Sequence, residues 1–166
     1  VFYVKASPGH ARATIPVFAP QPAVKFPDRP KAVGAGANAK VVPISATLWQ
    51  LMQNRSWNFR CVGPESLRLV NVNYWGFDGY RYRGEIVVRA DTANDVANIF
   101  TELYNANFPI RQMILPDKFG RNINGWPGAN DYAQMSADNT SGFNCRYVVG
   151  LEGLHVMSPH ASGRAI

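Results

Sequence analysis

No apolar run in this chain approaches the roughly 20 residues that a membrane-spanning helix requires, so no such span is expected within its 166 residues. Charge is also scarce. Asp, Glu, Lys and Arg make up 17% of the chain against 46% apolar residues, the balance of a lightly charged globular domain. Adjacent basic residues never occur. The net charge of +6 is therefore scattered, without the basic stripe that marks a nucleic-acid reader, and no nucleic-acid partner is expected. An anionic envelope or cell wall suits a pI near 9.6 equally well. No C-x-x-C pair occurs, which argues against a zinc knuckle or a thioredoxin-like redox motif. The only cysteines are Cys61 and Cys145, 84 residues apart. They read as two buried thiols in a reducing compartment. In a secreted protein they read instead as a bridge, worth about 4 kcal/mol in the chain-entropy description. Val1 stands where an initiator Met would be, so the expectation is a processed chain or part of a longer one.

The length suits one domain with a real core. Residues 1–43 hold seven of the 12 prolines, together with Gly34-Ala35-Gly36-Ala37. Proline at this density is incompatible with regular helix or the interior of a sheet. The segment therefore reads as an extended arm or linker, and Phe2, Tyr3, Val17, Phe18 and Phe26 suit it to packing on a partner surface. Residues 44–166 read as the folded domain. Ser45 is placed to cap a short helix that buries Leu48, Leu51 and Met52. Strand structure begins at Leu67, Leu69 and Val72. Phe77-Asp78-Gly79-Tyr80 is a hairpin signal, and the returning strand runs from Arg83 to Arg89 through Ile86-Val87-Val88. Asp91 is the expected cap of the main helix, whose apolar stripe is Val96, Ile99, Phe100, Leu103 and Tyr104. Pro109 stops it. Further strands are expected at 110–115, at 143–149 and from Ala165 onward, with 116–138 as a long surface loop. Strands grouped around one main helix and long loops favour an α+β fold with a small antiparallel sheet.

The chemistry gathers at the end of the chain, in Ser158-Pro159-His160-Ala161-Ser162-Gly163-Arg164-Ala165-Ile166. By itself His160 is an ordinary loop histidine; His10 and His155 have still less around them. Here, however, a serine precedes it by two positions, a glycine allows a sharp turn after it, and an apolar pair follows.

This segment resembles the S-x-H-x-x-G-x-A-[IV]-D signature of the zinc D-alanyl-D-alanine carboxypeptidases, vancomycin-resistance D,D-dipeptidases and L-alanyl-D-glutamate endopeptidases. Ser158, His160, Gly163, Ala165 and Ile166 match it, and only the final aspartate lies outside the chain. A second block, from Asp138 to Arg146, resembles the N-T-S-x-F-N-C-R stretch of an actinobacterial-like branch. A third, Asn73 to Val88, resembles that branch's G-[FY]-D-G hairpin and G-E-[IL]-V-V strand. With the following helix and the turn at Phe108-Pro109-Ile110, the resemblance covers about residues 60–166.

The resemblance implies a hedgehog/D,D-peptidase-like fold and a secreted or wall-associated zinc peptidase, bacterial or phage-encoded, that cuts amide bonds beside D-amino acids in peptidoglycan peptides. His160 would be a ligand of the Zn2+ ion. Arg146 would bind substrate and stabilise the tetrahedral intermediate, a task suited to a permanently charged fork of donors; a structural ion pair is its bland alternative. Ser158 would line the substrate end of the pocket, or serve only as a Ser-Pro turn. Gly163 reads as backbone geometry. Cys145 would pair with Cys61. The family's aspartate and histidine ligands and its glutamate base would follow Ile166, so these 166 residues are expected to be inactive alone. Two other readings stay open: a non-catalytic wall-binding module on the same scaffold, and a structural or assembly protein whose arm clamps a neighbour.

Overall fold

A computed structural model describes residues 28–166, and its centre is the hairpin expected from Asp78-Gly79. Strand β2 (Leu67–Trp75) pairs antiparallel with β3 (Arg81–Arg89) in a register that sets Val70 opposite Ile86. Gly79 turns the chain at a φ of 78°, which a side chain would disfavour. A third strand, β1 (Lys40–Pro43), lies on the other side of β2, also antiparallel, giving the order β1-β2-β3. With the helices α1 (Ala46–Gln53), α2 (Ala93–Asn105) and α3 (Asp131–Ser136), the fold is α+β. No described helix is long and apolar enough to cross a membrane.

Both faces of the hairpin are covered, which is why three consecutive β-branched residues are buried together. Successive strand residues point to opposite faces. Ile86 and Val88 join Val70, Val72 and Tyr74 against α2, where Val96, Ala97 and Phe100 complete one core. Val87 points the other way, to Leu67, Leu48 and Met52 of α1, Leu115, Phe143 and Cys145. Ser45 caps α1 as expected, its hydroxyl accepting from the Leu48 N–H at 3.2 Å.

The end of the Pro-rich segment belongs to this sheet. Lys40–Pro43 is an edge strand, and its proline sits at the last position, where a missing N–H costs no ladder bond. Upstream, Asn73 is fully buried and grips the preceding loop. Its amide donates to the Val33 and Gly36 carbonyls at 2.8 and 2.9 Å and accepts from the Val33 N–H at 3.1 Å. Residues 1–27 of the expected arm, with Phe2, Tyr3, Val17, Phe18 and Phe26, lie outside the described residues.

Other expectations are corrected. Thr92, not Asp91, occupies the N-cap position of α2, though its hydroxyl donates to the Arg89 carbonyl and makes no capping bond, and Asp91 is ion-paired with Arg164. Ile99 is 53% exposed, so the buried stripe of α2 is narrower than its spacing implied and is completed by Ala93 and Ala97. Residues 110–115 form no strand. Flanked by Pro109 and Pro116, they make isolated bonds, such as Glu85 N–H to the Met113 carbonyl at 3.0 Å. Residues 143–149 fail as a strand for a related reason: their backbone bonds go to separate segments. Phe143 donates to Val87, Cys145 to Ser56 and Asn144 to His160, and Tyr147 makes only an isolated antiparallel bridge with Met157. Ala165-Ile166 is in no strand; just before it, the Gly163 carbonyl accepts from the Arg89 N–H at the outer edge of β3. Within 116–138, α3 and two 3-10 turns replace the expected loop.

Arg29 ties residues before β1 to the hairpin. Its guanidinium donates to Asp78 at 2.8 Å and to the Tyr82 hydroxyl at 3.0 Å, and lies 3.8 Å from the centre of the Tyr82 ring. The Tyr82 hydroxyl in turn donates to Asp78 at 2.6 Å. Burial, and then this bond to a carboxylate, push the Tyr82 phenol up from 10.0 to about 12. Burial also pushes the Tyr74 phenol upward. Groups with raised folded pKa values contribute stability that is complete below the unfolded pKa and lost as pH rises through the folded one. Denaturation midpoints should therefore hold steady to about pH 10 and fall from there toward pH 12. Tyr82→Phe should flatten that alkaline fall; an unchanged slope in the variant would remove Tyr82 from the account.

Candidate functional site

The candidate site lies where three loop segments meet beside the outer edge of β3, whose Val87 carbonyl and Arg89 N–H bond to Phe143 and Gly163. Gly142 is pressed onto that strand: a Cβ there would stand 2.3 Å from the Val87 carbonyl oxygen, so any side chain would displace the segment. The Gly142 carbonyl accepts from His160 Nδ1 at 2.8 Å. A carbonyl can only accept, so Nδ1 carries a proton, and in the neutral ring Nε2 keeps its lone pair. His160 stands in a 3-10 turn, Pro159–Ser162. This turn is capped by Ser158, whose Oγ accepts from the His160 N–H at 3.3 Å. Gly163 closes the turn at a φ of 74°, and its carbonyl accepts from the Arg89 N–H at 2.8 Å. The turn is thus bolted to the end of β3.

His160 and Arg146 line one cavity of about 470 Å³, together with Asp131, Gln134, Asn139 and Ile166. Ser158 does not line it; it is buried, and its hydroxyl serves the turn that holds His160. Arg146 is held hard. Nη2 pairs with Asp131 at 2.5 Å and Nη1 donates to the Tyr147 carbonyl at 3.0 Å, while the buried Nε has no hydrogen-bond partner among the described residues. The Asp131 carboxylate also accepts from Gln134 at 3.0 Å and from Asn144 at 3.2 Å. Sequence reasoning singled out Arg146 and missed Asp131, because the two meet only across the fold. The signal available was Asn130-Asp131, a helix cap with an acidic first turn: Asn130 Oδ1 accepts from the Ala133 N–H at 3.1 Å.

Behind this cavity Cys61 and Cys145 form a disulfide. Cys145 is fully buried in the second core, one residue before Arg146. His155 takes no part in the cavity and instead stacks on Tyr147, with ring centres 5.1 Å apart.

His160 has the tautomer of a metal ligand: the other ring nitrogen is fixed by a backbone carbonyl and the lone pair is available. Among the described residues, no group of three or more His, Cys, Asp or Glu side chains is placed to hold an ion. Residues 28–166 thus present one imidazole at this cavity, short of the three protein ligands that a catalytic zinc takes. Compared with known proteins, the chain matches no protein-family model, no curated protein and no solved structure.

Proposed function

We propose that this chain carries part of the active site of a zinc peptidase of the bacterial cell wall, with a D,D-peptidase-like scaffold. The carrying observation is that His160, locked with Nε2 available, shares a cavity with the buried guanidinium of Arg146. In this reading His160 is one zinc ligand, and the remaining ligands and the general base come from polypeptide beyond these 166 residues. Bound zinc supplies Lewis-acid polarisation of the scissile carbonyl and a more acidic water. This chain's own residues do the positioning. Gly142 and the Ser158 cap orient the imidazole, and Asp131 orients Arg146. The guanidinium then presents its remaining N–H groups to a substrate carboxylate or developing oxyanion, with the wall peptide lying in the cavity. A disulfide is at home in an oxidising compartment, which supports a secreted or wall-associated protein.

A natural gene product that continues past Ile166 is expected to bind about one zinc per chain, and His160→Ala to lose it. Undiminished zinc in the variant would sink the ligand assignment. A second reading, a wall-peptide binder without hydrolysis, is favoured by the Asp131 carboxylate, which already neutralises Arg146. It predicts binding of wall peptides by the zinc-free chain with no cleavage by the longer one.

A further inference from the structure

A second cleft, of about 230 Å³, lies between the end of α1 and the loop from Arg121 to Gly128. It is smaller than the roughly 300–1,000 Å³ of a drug-sized ligand's pocket and of a size for a single ring. It is lined by Trp57 and Trp126, by Arg55 and Arg121, and by Gln53 and Asn54. Each arginine is anchored through one N–H to a backbone carbonyl, Arg55 to Asp117 at 2.6 Å and Arg121 to Asn54 at 2.6 Å. Neither has an acidic partner among the described residues, unlike Arg29, Arg111, Arg146 and Arg164. Two guanidiniums held by backbone carbonyls beside one cleft, neither in an ion pair among the described residues, are a carboxylate-binding arrangement.

The walls are also pre-set. The Trp57 indole donates to the Val62 carbonyl at 2.9 Å and packs edge-on against Trp49, with ring centres 4.7 Å apart. Trp126 is braced by Tyr147 and His155. The loop is closed on itself by Asn122 N–H to the Gly128 carbonyl and Asn130 N–H to the Gly120 carbonyl, both at 3.0 Å. Fixed aromatic surface suits the C–H face of a sugar ring, and side-chain amides, each both donor and acceptor, suit its hydroxyls.

We propose that this cleft binds an acidic sugar, with its ring against the indoles and its carboxylate between Arg55 and Arg121. The same loop runs on from Gly128 to Asp131, and a Cβ at Gly128 would stand 2.6 Å from that of Arg146. A glycan held here would therefore lie beside the His160 cavity, which adds a saccharide to the wall-polymer reading without depending on any hydrolytic step.

The test is a titration of the chain, followed through the indole N–H signals of Trp57 and Trp126, with N-acetylmuramic acid. N-acetylglucosamine, the same ring without the carboxylate, and inorganic phosphate are the controls. Saturable shifts at a Kd on the order of 1 mM are expected with the acidic sugar. Binding should be about tenfold weaker for the neutral one and for Arg121→Gln, the loss that follows from removing a charge-assisted hydrogen bond. Arg121 is exposed, so this variant should keep its amide dispersion; Trp126→Phe gives a second, independent loss of binding. Equal responses to both sugars, displacement by equimolar phosphate, or no saturable shift at all would each overturn the proposal. None of these results bears on zinc binding by His160.

Discussion

Replacing Cys61 and Cys145 by serine is expected to lower stability by about 4 kcal/mol, the chain-entropy value for a crosslink closing a loop of this length. The bridge spans 84 residues, more than half of the described chain, so it restricts the unfolded state strongly. It also acts in the folded state. Cys145 is fully buried against Leu48, Met52 and Phe143, and its backbone bonds to Ser56 and Asn58 at 2.7 and 3.0 Å. A serine hydroxyl at that position would enter an apolar cluster, which adds to the loss. Urea denaturation of the oxidised protein, the reduced protein and the double variant reads this directly. A loss under about 1 kcal/mol, well below the usual range for a native bridge, would show that the α1 core holds without the crosslink.

The second large effect is expected at Asp131. Its carboxylate and the Arg146 guanidinium are 8% and 10% exposed and 2.5 Å apart. Asp131→Ala leaves a buried arginine without its counter-ion and should cost about 3–5 kcal/mol, the range for breaking a buried pair. An apolar pair, Asp131→Leu with Arg146→Met, should recover most of that loss, because removing both charges also removes their desolvation cost. Thermal and urea midpoints of the single and double variants give the coupling. Equal loss in single and double variants would mean that packing, and not charge, sets the stability of this corner. In a chain competent for hydrolysis, Arg146→Ala should lower turnover while zinc is retained. Unchanged hydrolysis would leave Arg146 with a structural role only.

Much of the central architecture was legible from the residues themselves. Asp78-Gly79 announced the hairpin, Ile86-Val87-Val88 its returning strand, and Ser45 the cap of α1, because each is a local preference of backbone or side chain. The strands expected at 110–115 and 143–149 were misread because extended backbone becomes a strand only where a neighbour offers a ladder. Here the partners are scattered over β3, the turn after α1 and the His160 turn. Ile99 was misplaced because helical spacing defines a face, while the width of the buried stripe depends on what packs against it.

At the candidate site the division is similar. The order Ser158, His160, Gly163 was enough to single out an imidazole on a tight turn, since a hydroxyl cap and a left-handed glycine act within a few residues. Which nitrogen of His160 stays available was decided by Gly142, 18 residues away, and the pairing of Arg146 by Asp131, which precedes it by 15. The acidic sugar cleft likewise exists only because Arg121 and Trp126 fold back over Arg55 and Trp57. Local preferences are written in neighbouring residues and survive in isolation. Burial, counter-charge and ring tautomer depend on atoms distant in sequence, and only the packed chain brings those together.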